Sequence, residues 1–299
     1  MIAKLQVRVI SPWFGELETP EAFFSVKIPS EKADALLCDW MPDPELFTFP
    51  GRKAWYCCEP KCQFRVLGGG TWPFIRARLA SREFLFHSHP DPRLRVPVIT
   101  HFEKLIVNRL EDRKNRAVAV VSNHGGLPWR RHSDLKYRNR FITHPTVDLY
   151  GREGWKSYRA GWLARPAPPS NYRGALPGDW PASGKRALMA RYKVAICLEN
   201  MIEPYFFTEK FVEAVCAGCI PVYRAHPTIA QTILRDAAWV DPANYGHDPE
   251  ATIKAALSFN AESIRLQNEQ WLASAMVADT HSTQVFGRIG IILAGTLTE

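Results

Sequence analysis

No run of eighteen apolar residues occurs anywhere in the 299-residue chain, so no segment reads as a transmembrane helix. The first ten residues, MIAKLQVRVI, are too short and too interrupted for a signal peptide. They read as a strand, and the expected location is the cytoplasm, with peripheral contact at the inner face of the membrane left open. Cysteine is too scattered, at seven residues, for a disulfide scaffold. Cys57, Cys58 and Cys62 lie close together, but neither a second cysteine pair nor a spaced histidine pair completes a zinc site. There is no convincing Asp-x-Asp pair to hold a divalent metal, and Asp241 and Asp248 have no partner pattern. No metal and no cofactor is expected. Gly68-Gly69-Gly70 is a loop, but no Lys-Ser or Lys-Thr ending follows it to make a phosphate-binding loop.

The composition is that of a soluble globular protein, 46% hydrophobic and 23% charged. The length accommodates two domains, each with its own core. A net charge of +8 implies an anionic partner: nucleic acid, a membrane surface or a nucleoside diphosphate. The arginines are spread along the chain and no nucleic-acid-binding motif accompanies them, so nucleic acid is not the expected partner.

Residues 1–105 read as a first domain, and the charged stretch Glu103 to Arg116 as the passage to a second, 106–275. Ala117 to Val121 is a buried-strand run. Ser133 opens a helix through Tyr137 and Phe141, and Val147 to Tyr150 is another strand. That strand–loop–helix–strand order is half of a nucleotide-binding α/β domain. Pro166 to Pro181 is rich in proline, glycine and serine and reads as a loop. Pro249 to Leu272 and His281 to Leu297 read as mainly helical, with 276–299 a terminal helix that crosses back to the first domain.

The most informative segment is Tyr192 to Tyr223, YKVAICLENMIEPYFFTEKFVEAVCAGCIPVY. Tyr192 to Leu198 is an apolar run fit for a strand covered on both faces. Glu199-Asn200 then puts an acid and an amide at its carboxyl end, where open α/β sheets bind ligands. Thr208 is placed to cap a helix, which Gly218 can end in a left-handed conformation. Ile220-Pro221-Val222 starts the next strand, with proline at its first positions.

This segment resembles the C-terminal motif of glycosyltransferase family 10, the α-1,3-fucosyltransferases. The matching residues are Glu199-Asn200, Thr208-Glu209-Lys210, Ala217-Gly218 and Ile220-Pro221-Val222. Met201 replaces the family's usual Ser or Thr, and Phe206-Phe207 replaces an aromatic-Val pair. The resemblance implies an α/β protein of the GT-B type, with two Rossmann-like domains facing across a cleft. It implies an inverting, metal-independent bacterial transferase that moves L-fucose from GDP-fucose to a glycan hydroxyl. The acceptor is a glycan, with lipid-linked chains and lipopolysaccharide among the candidates. Tyr137-Arg138-Asn139-Arg140-Phe141 resembles the family's Arg-Asn-x-Phe segment, which makes Arg138 a ligand of the diphosphate and Arg140 its rival if the register slips. Lys210 would hold the same group, Glu209 the ribose hydroxyls, and Asn200 the nucleotide or sugar. Glu199 would either steady positive charge at the anomeric carbon or pair with a nearby arginine. Glu59, at the end of the strand-like Lys53 to Cys58, would be the general base, with Pro60 where the family has asparagine. Asp91 to Pro97 resembles a further family segment and supports that register.

Two other readings stay open at this level. One is a GT-B transferase that uses another GDP-sugar. The other is a non-catalytic basic protein that binds nucleic acid or an anionic membrane, which would show steep salt dependence and no preference for guanine nucleotides.

Overall fold

The structure is a computed structural model that describes residues 6–10, 32–39, 44–57, 85–87, 107–109, 112–123, 133–155, 167–176 and 183–281, together with 284, 285, 288, 289 and 293. The chain divides into two compact units. One is Met1–His101 with Glu203–Phe206 and Ala278–Glu299, and the other is Phe102–Ile202 with Phe207–Val277.

The first unit is built on a parallel sheet of four strands, β1 (Val7–Ile10), β2 (Ala35–Asp39), β3 (Arg52–Cys57) and β4 (Leu85–His87), hydrogen-bonded in that order. Leu36 and Leu37 are neighbours in β2, and both are fully buried. Consecutive residues of a strand point to opposite faces, so this sheet is covered on both sides. A short helix, α1 (Glu45–Thr48), sits between β2 and β3. It is tied down by Lys53, whose buried ammonium donates to the Leu46 carbonyl at 2.9 Å. Arg52 donates to the carbonyl of Leu293, so the segment around Leu293 joins this unit.

The second unit has five parallel strands: β5 (Lys114–Val120), β6 (Val147–Gly151), β7 (Tyr172–Ala175), β8 (Tyr192–Ile196) and β9 (Ile220–Val222). Their spatial order is β7-β6-β5-β8-β9. Val240 adds a parallel bridge beside Val222. The helices are α2 (Ser133–Ile142), α3 (Ser183–Met189), α4 (Glu209–Cys216), α5 (Pro227–Ala230), α6 (Pro249–Ser258) and α7 (Ala261–Leu272). Phe141, Val147, Leu149, Val194, Val222 and Ile253 belong to one core in which α2 and α6 pack on the sheet. The chain winds outward from β5 through β6 to β7, then returns to β8 on the other side of β5. That reversal opens a crevice at the carboxyl ends of β5 and β8, where sheets of this kind take their ligands. Among the described residues no helix is long and apolar enough to cross a membrane.

Two elements differ from the sequence reading. β7 lies inside the proline-rich stretch expected to be a loop. It is a short edge strand, and an edge tolerates Gly174 at φ +127° and a register shift against β6. β5 starts at Lys114, within the charged stretch read as a linker. Its first residues, Lys114 and Asn115, are exposed, so the apolar run marked only the strand's buried part. The stretch Pro249 to Leu272 is helical as expected and comes as two helices. Asn260 breaks it by accepting from the amides of Glu262 and Ser263 as an N-cap.

Candidate functional site

Helix α4 begins as the sequence predicts. Thr208 is extended at φ −128°, and its hydroxyl accepts from the Lys210 amide at 3.4 Å. Phe211, Val212, Val215 and Cys216 are all buried, which fixes the helix on the sheet. It ends at Gly218 with φ +72°, where a Cβ would lie 2.2 Å from the Asn108 carbonyl oxygen. Only glycine meets both demands.

The carboxylate of Glu199 is the hub beside the start of α4. Its Oε1 accepts from the Thr208 amide at 3.0 Å, the Thr208 hydroxyl at 2.6 Å and the Tyr223 hydroxyl at 3.3 Å. Its Oε2 accepts from Lys210 Nζ at 2.8 Å. Only 1% of the side chain is exposed. Of the two roles considered for Glu199, ion pairing is the one observed, and the partner is a lysine rather than an arginine.

Lys210 Nζ also donates to the Thr208 hydroxyl at 2.9 Å. An ammonium has three protons, and among the described residues the third meets no acceptor. Burial works against the Lys210 charge, but Glu199 and Glu209 outweigh it, and its pKa is raised. Glu209, the half-buried first residue of α4, sits where an acid suits the positive end of the helix.

Arg138 is 1% exposed, whereas Arg140 on the same helix is exposed, so it is Arg138 that turns toward the strand ends. It donates to Asn200 Oδ1, to Asn139 Oδ1 at 3.2 Å and to the Ser122 carbonyl at 3.5 Å. Its Nε is buried and has no partner among the described residues. Burial lowers its pKa to about 10, with Glu199 acting in the opposite sense. Lys210, Arg138, Glu199 and Asn200 therefore meet at the carboxyl ends of β5 and β8, the crevice that the strand order creates. Two cations stand there around one deeply held carboxylate, an arrangement suited to a ligand with more than one negative charge. Among the described residues no three acids, histidines or cysteines come together as metal ligands. Glu59, Gly68 to Gly70 and Asp91 to Pro97 lie outside the described residues, as do Cys58 and Cys62.

The sequence reading missed several contributors. Tyr223 bonds to Glu199, closing the loop between β8 and β9 from the far side. Glu213, one turn beyond Glu209, forms a buried ion pair with Lys185 of α3. Burial pushes the Glu213 carboxyl up, with Lys185 opposing. A signal for this pair existed, since an acid inside the apolar run Phe211 to Cys216 needs a buried partner. A second cluster ties α2 to the loops after β9 and Val240. Arg224 lies 4.7 Å over the Tyr137 ring and 3.6 Å from Asp134, and the Tyr137 hydroxyl is 3.1 Å from His247 Nδ1. Nothing in the sequence marks those pairings.

No protein-family profile matches the chain. Among solved structures it is similar to an α1,3-fucosyltransferase, at 13% identity over 97% of this chain and 90% of that one, with a TM-score of 0.47. An α1,3-fucosyltransferase with GDP-fucose matches at 14% identity over 91% of each chain, with a TM-score of 0.38. Trehalose-6-phosphate synthase, OtsA, matches at 13% identity over 91% of this chain and 73% of that one, with a TM-score of 0.50. Likeness at such identities is one of fold, and the fold is α/β of the GT-B type with two Rossmann-like units.

Proposed function

We propose that the protein is a glycosyltransferase that moves a sugar from a nucleoside diphosphate to a hydroxyl group of a glycan. The observation that carries this is the meeting of Lys210 and Arg138 around Glu199 and Asn200, at the carboxyl ends of β5 and β8. Transfer leaves a diphosphate whose negative charge must be stabilised as the bond to the sugar breaks. In this reading the Lys210 ammonium and the Arg138 guanidinium stabilise it, helped by the positive end of α4, and no metal is needed. Glu209 holds the ribose hydroxyls and Asn200 orients the nucleotide or sugar. Glu199 acts by holding Lys210 and Thr208 in place.

The finer reading rests on the resemblance of Tyr192 to Tyr223 to family 10. The donor is then GDP-fucose, and the reaction inverts the anomeric carbon. The acceptor oxygen forms its bond to that carbon as the bond to the GDP oxygen breaks. Glu59 takes the acceptor proton, because a hydroxyl is too weak an acid to attack unaided. The acceptor is a soluble or lipid-linked glycan at the cytoplasmic face of the membrane. Another GDP-sugar remains the nearest alternative, since Met201, Phe206 and Phe207 depart from the family's pattern.

Calorimetry with GDP, UDP and CDP tests the nucleotide. Incubation with GDP-fucose or GDP-mannose and a panel of acceptor glycans, read by mass, tests the reaction. Equal binding of UDP and GDP removes the guanine assignment. Activity that vanishes with EDTA and returns with manganese removes the metal-free mechanism.

A further inference from the structure

We infer that the amino edge of the second unit's sheet is a docking surface for an anionic lipid bilayer. Strands β5 to β9 run parallel, so all of them start at one edge. That edge is fringed with cations. The Lys114 amide donates to the Arg191 carbonyl at 2.8 Å, which sets these two exposed residues side by side. Arg116 and Arg173 each reach Asp148 at 2.9 Å, yet 41% and 45% of their side chains stay exposed. Arg109, 70% exposed, lies 3.2 Å from Glu269. The acids at this edge do not cancel the cations: Asp148 is buried between two guanidinium groups, Glu262 and Glu269 are matched by Arg265 and Arg109, and Asp112 is exposed, against Lys114, Arg191 and the second arginine on Asp148. The charge left over is positive.

An apolar group stands in the same fringe. Lys193 donates to the Leu257 carbonyl at 2.5 Å, and the α6 terminus two residues on carries Phe259, 42% exposed. Exposed cations beside an exposed aromatic are what an anionic membrane interface binds, through charge attraction and shallow insertion of the ring. Nucleic acid would take the charges but has no use for a single projecting phenyl group, because bases are bound on stacking platforms along a groove. The five residues of β8 span roughly 17 Å at about 3.3 Å per residue. Docking at the amino edge therefore leaves the carboxyl-end crevice open to substrates.

The test is co-sedimentation of the full chain with vesicles of phosphatidylcholine alone, or of phosphatidylcholine mixed with phosphatidylglycerol, over a salt series. Binding to the mixed vesicles that falls with salt and is absent on the neutral ones is the expected result. Each neutralised cation should weaken it about fivefold, so K114Q with R191Q should cost about 25-fold. A Phe259→Trp variant should show a blue-shifted emission on the mixed vesicles, and Phe259→Ser should bind more weakly with the same salt dependence. GDP affinity should not change in any of these variants, which reports an intact fold and separates this inference from the proposed reaction. Equal binding to both vesicle types, unchanged binding by the double variant, or an emission spectrum of the bound Phe259→Trp variant that does not differ from that of the free one would overturn it. So would binding to a DNA duplex in preference to vesicles.

Discussion

The ammonium of Lys210 rests 2.8 Å from the Glu199 carboxylate, which is sealed from solvent on every side. The acid at the end of β8 thus fixes the cation at the start of α4. Removing either partner should have a different effect. Lys210→Met leaves Glu199 with its Thr208 and Tyr223 donors and with the Arg138 charge nearby, neither of which Glu213 has, so the fold should persist. GDP binding should weaken by about 1.5–3 kcal/mol, the worth of a hydrogen bond to a charged group. Calorimetry reads this directly. Glu199→Gln strands a largely buried ammonium and should lower stability by about 3 kcal/mol, which denaturant unfolding would report. An E199Q protein of normal stability would show that the pair contributes little.

Glu59→Gln keeps the shape of the side chain and removes its basicity. Turnover should fall by about 10²–10⁴, the usual worth of a general base. GDP affinity should stay nearly unchanged, because the residue lies in the other unit from Lys210 and Arg138. Near-normal turnover in E59Q alongside a dead Glu199→Gln enzyme would mean that the wrong carboxylate was chosen.

The buried pair between Lys185 and Glu213 predicts a pattern of rescue. Lys185→Met should cost about 3–5 kcal/mol, because it leaves a buried acid with no counter-charge. Burial already pushes the Glu213 carboxyl up, so in that variant it should take up a proton as pH falls, and the loss should shrink in acid. Adding Glu213→Leu should recover most of the stability, since an apolar pair of similar volume is often neutral in such a site. Thermal unfolding of both single variants and the double variant at two pH values checks this.

Asp148 sets an acid limit on the second unit. Burial pushes its carboxyl up, but Arg116, Arg173 and the Tyr192 hydroxyl outweigh that and hold it below its usual value. A depressed folded-state pKa contributes stability above the unfolded value, about 3.9 for Asp, and loses it as pH falls through the folded one. Asp148→Asn should therefore lower the Tm at neutral pH, and the difference should shrink as pH falls below the unfolded value. A Tm gap that is the same at both ends of the pH range would contradict this.

Local features were legible in the sequence and distant pairings were not. The Thr208 cap, the left-handed Gly218 and the buried strand from Tyr192 follow from residue types at fixed spacing, and the structure shows each of them. Helix periodicity sets Arg138 on the face of Leu135, Phe141 and Ile142 and Arg140 on the opposite one, but a role for Arg138 at a phosphate needed the motif. Tyr223 and Glu199 meet across 24 residues, and Lys185 and Glu213 across 28. Such partners are chosen by the packing of whole helices. β7 was hidden because its neighbours are loop-forming residues, and only pairing with β6 makes a strand of it. Glu59, proposed as the base, lies outside the described residues.

The bond from Arg52 to the Leu293 carbonyl has a bearing on how the chain is made. Translation delivers Leu293 long after Arg52, and residues 278–299 group with the first unit. The second unit has its whole sequence by Val277 and can fold while the ribosome is still at work. The unit that is synthesised first has to wait for its closing segment. An internal stop shortly before Leu293 would therefore be expected to spare the second unit and to injure the one encoded farthest from the lesion.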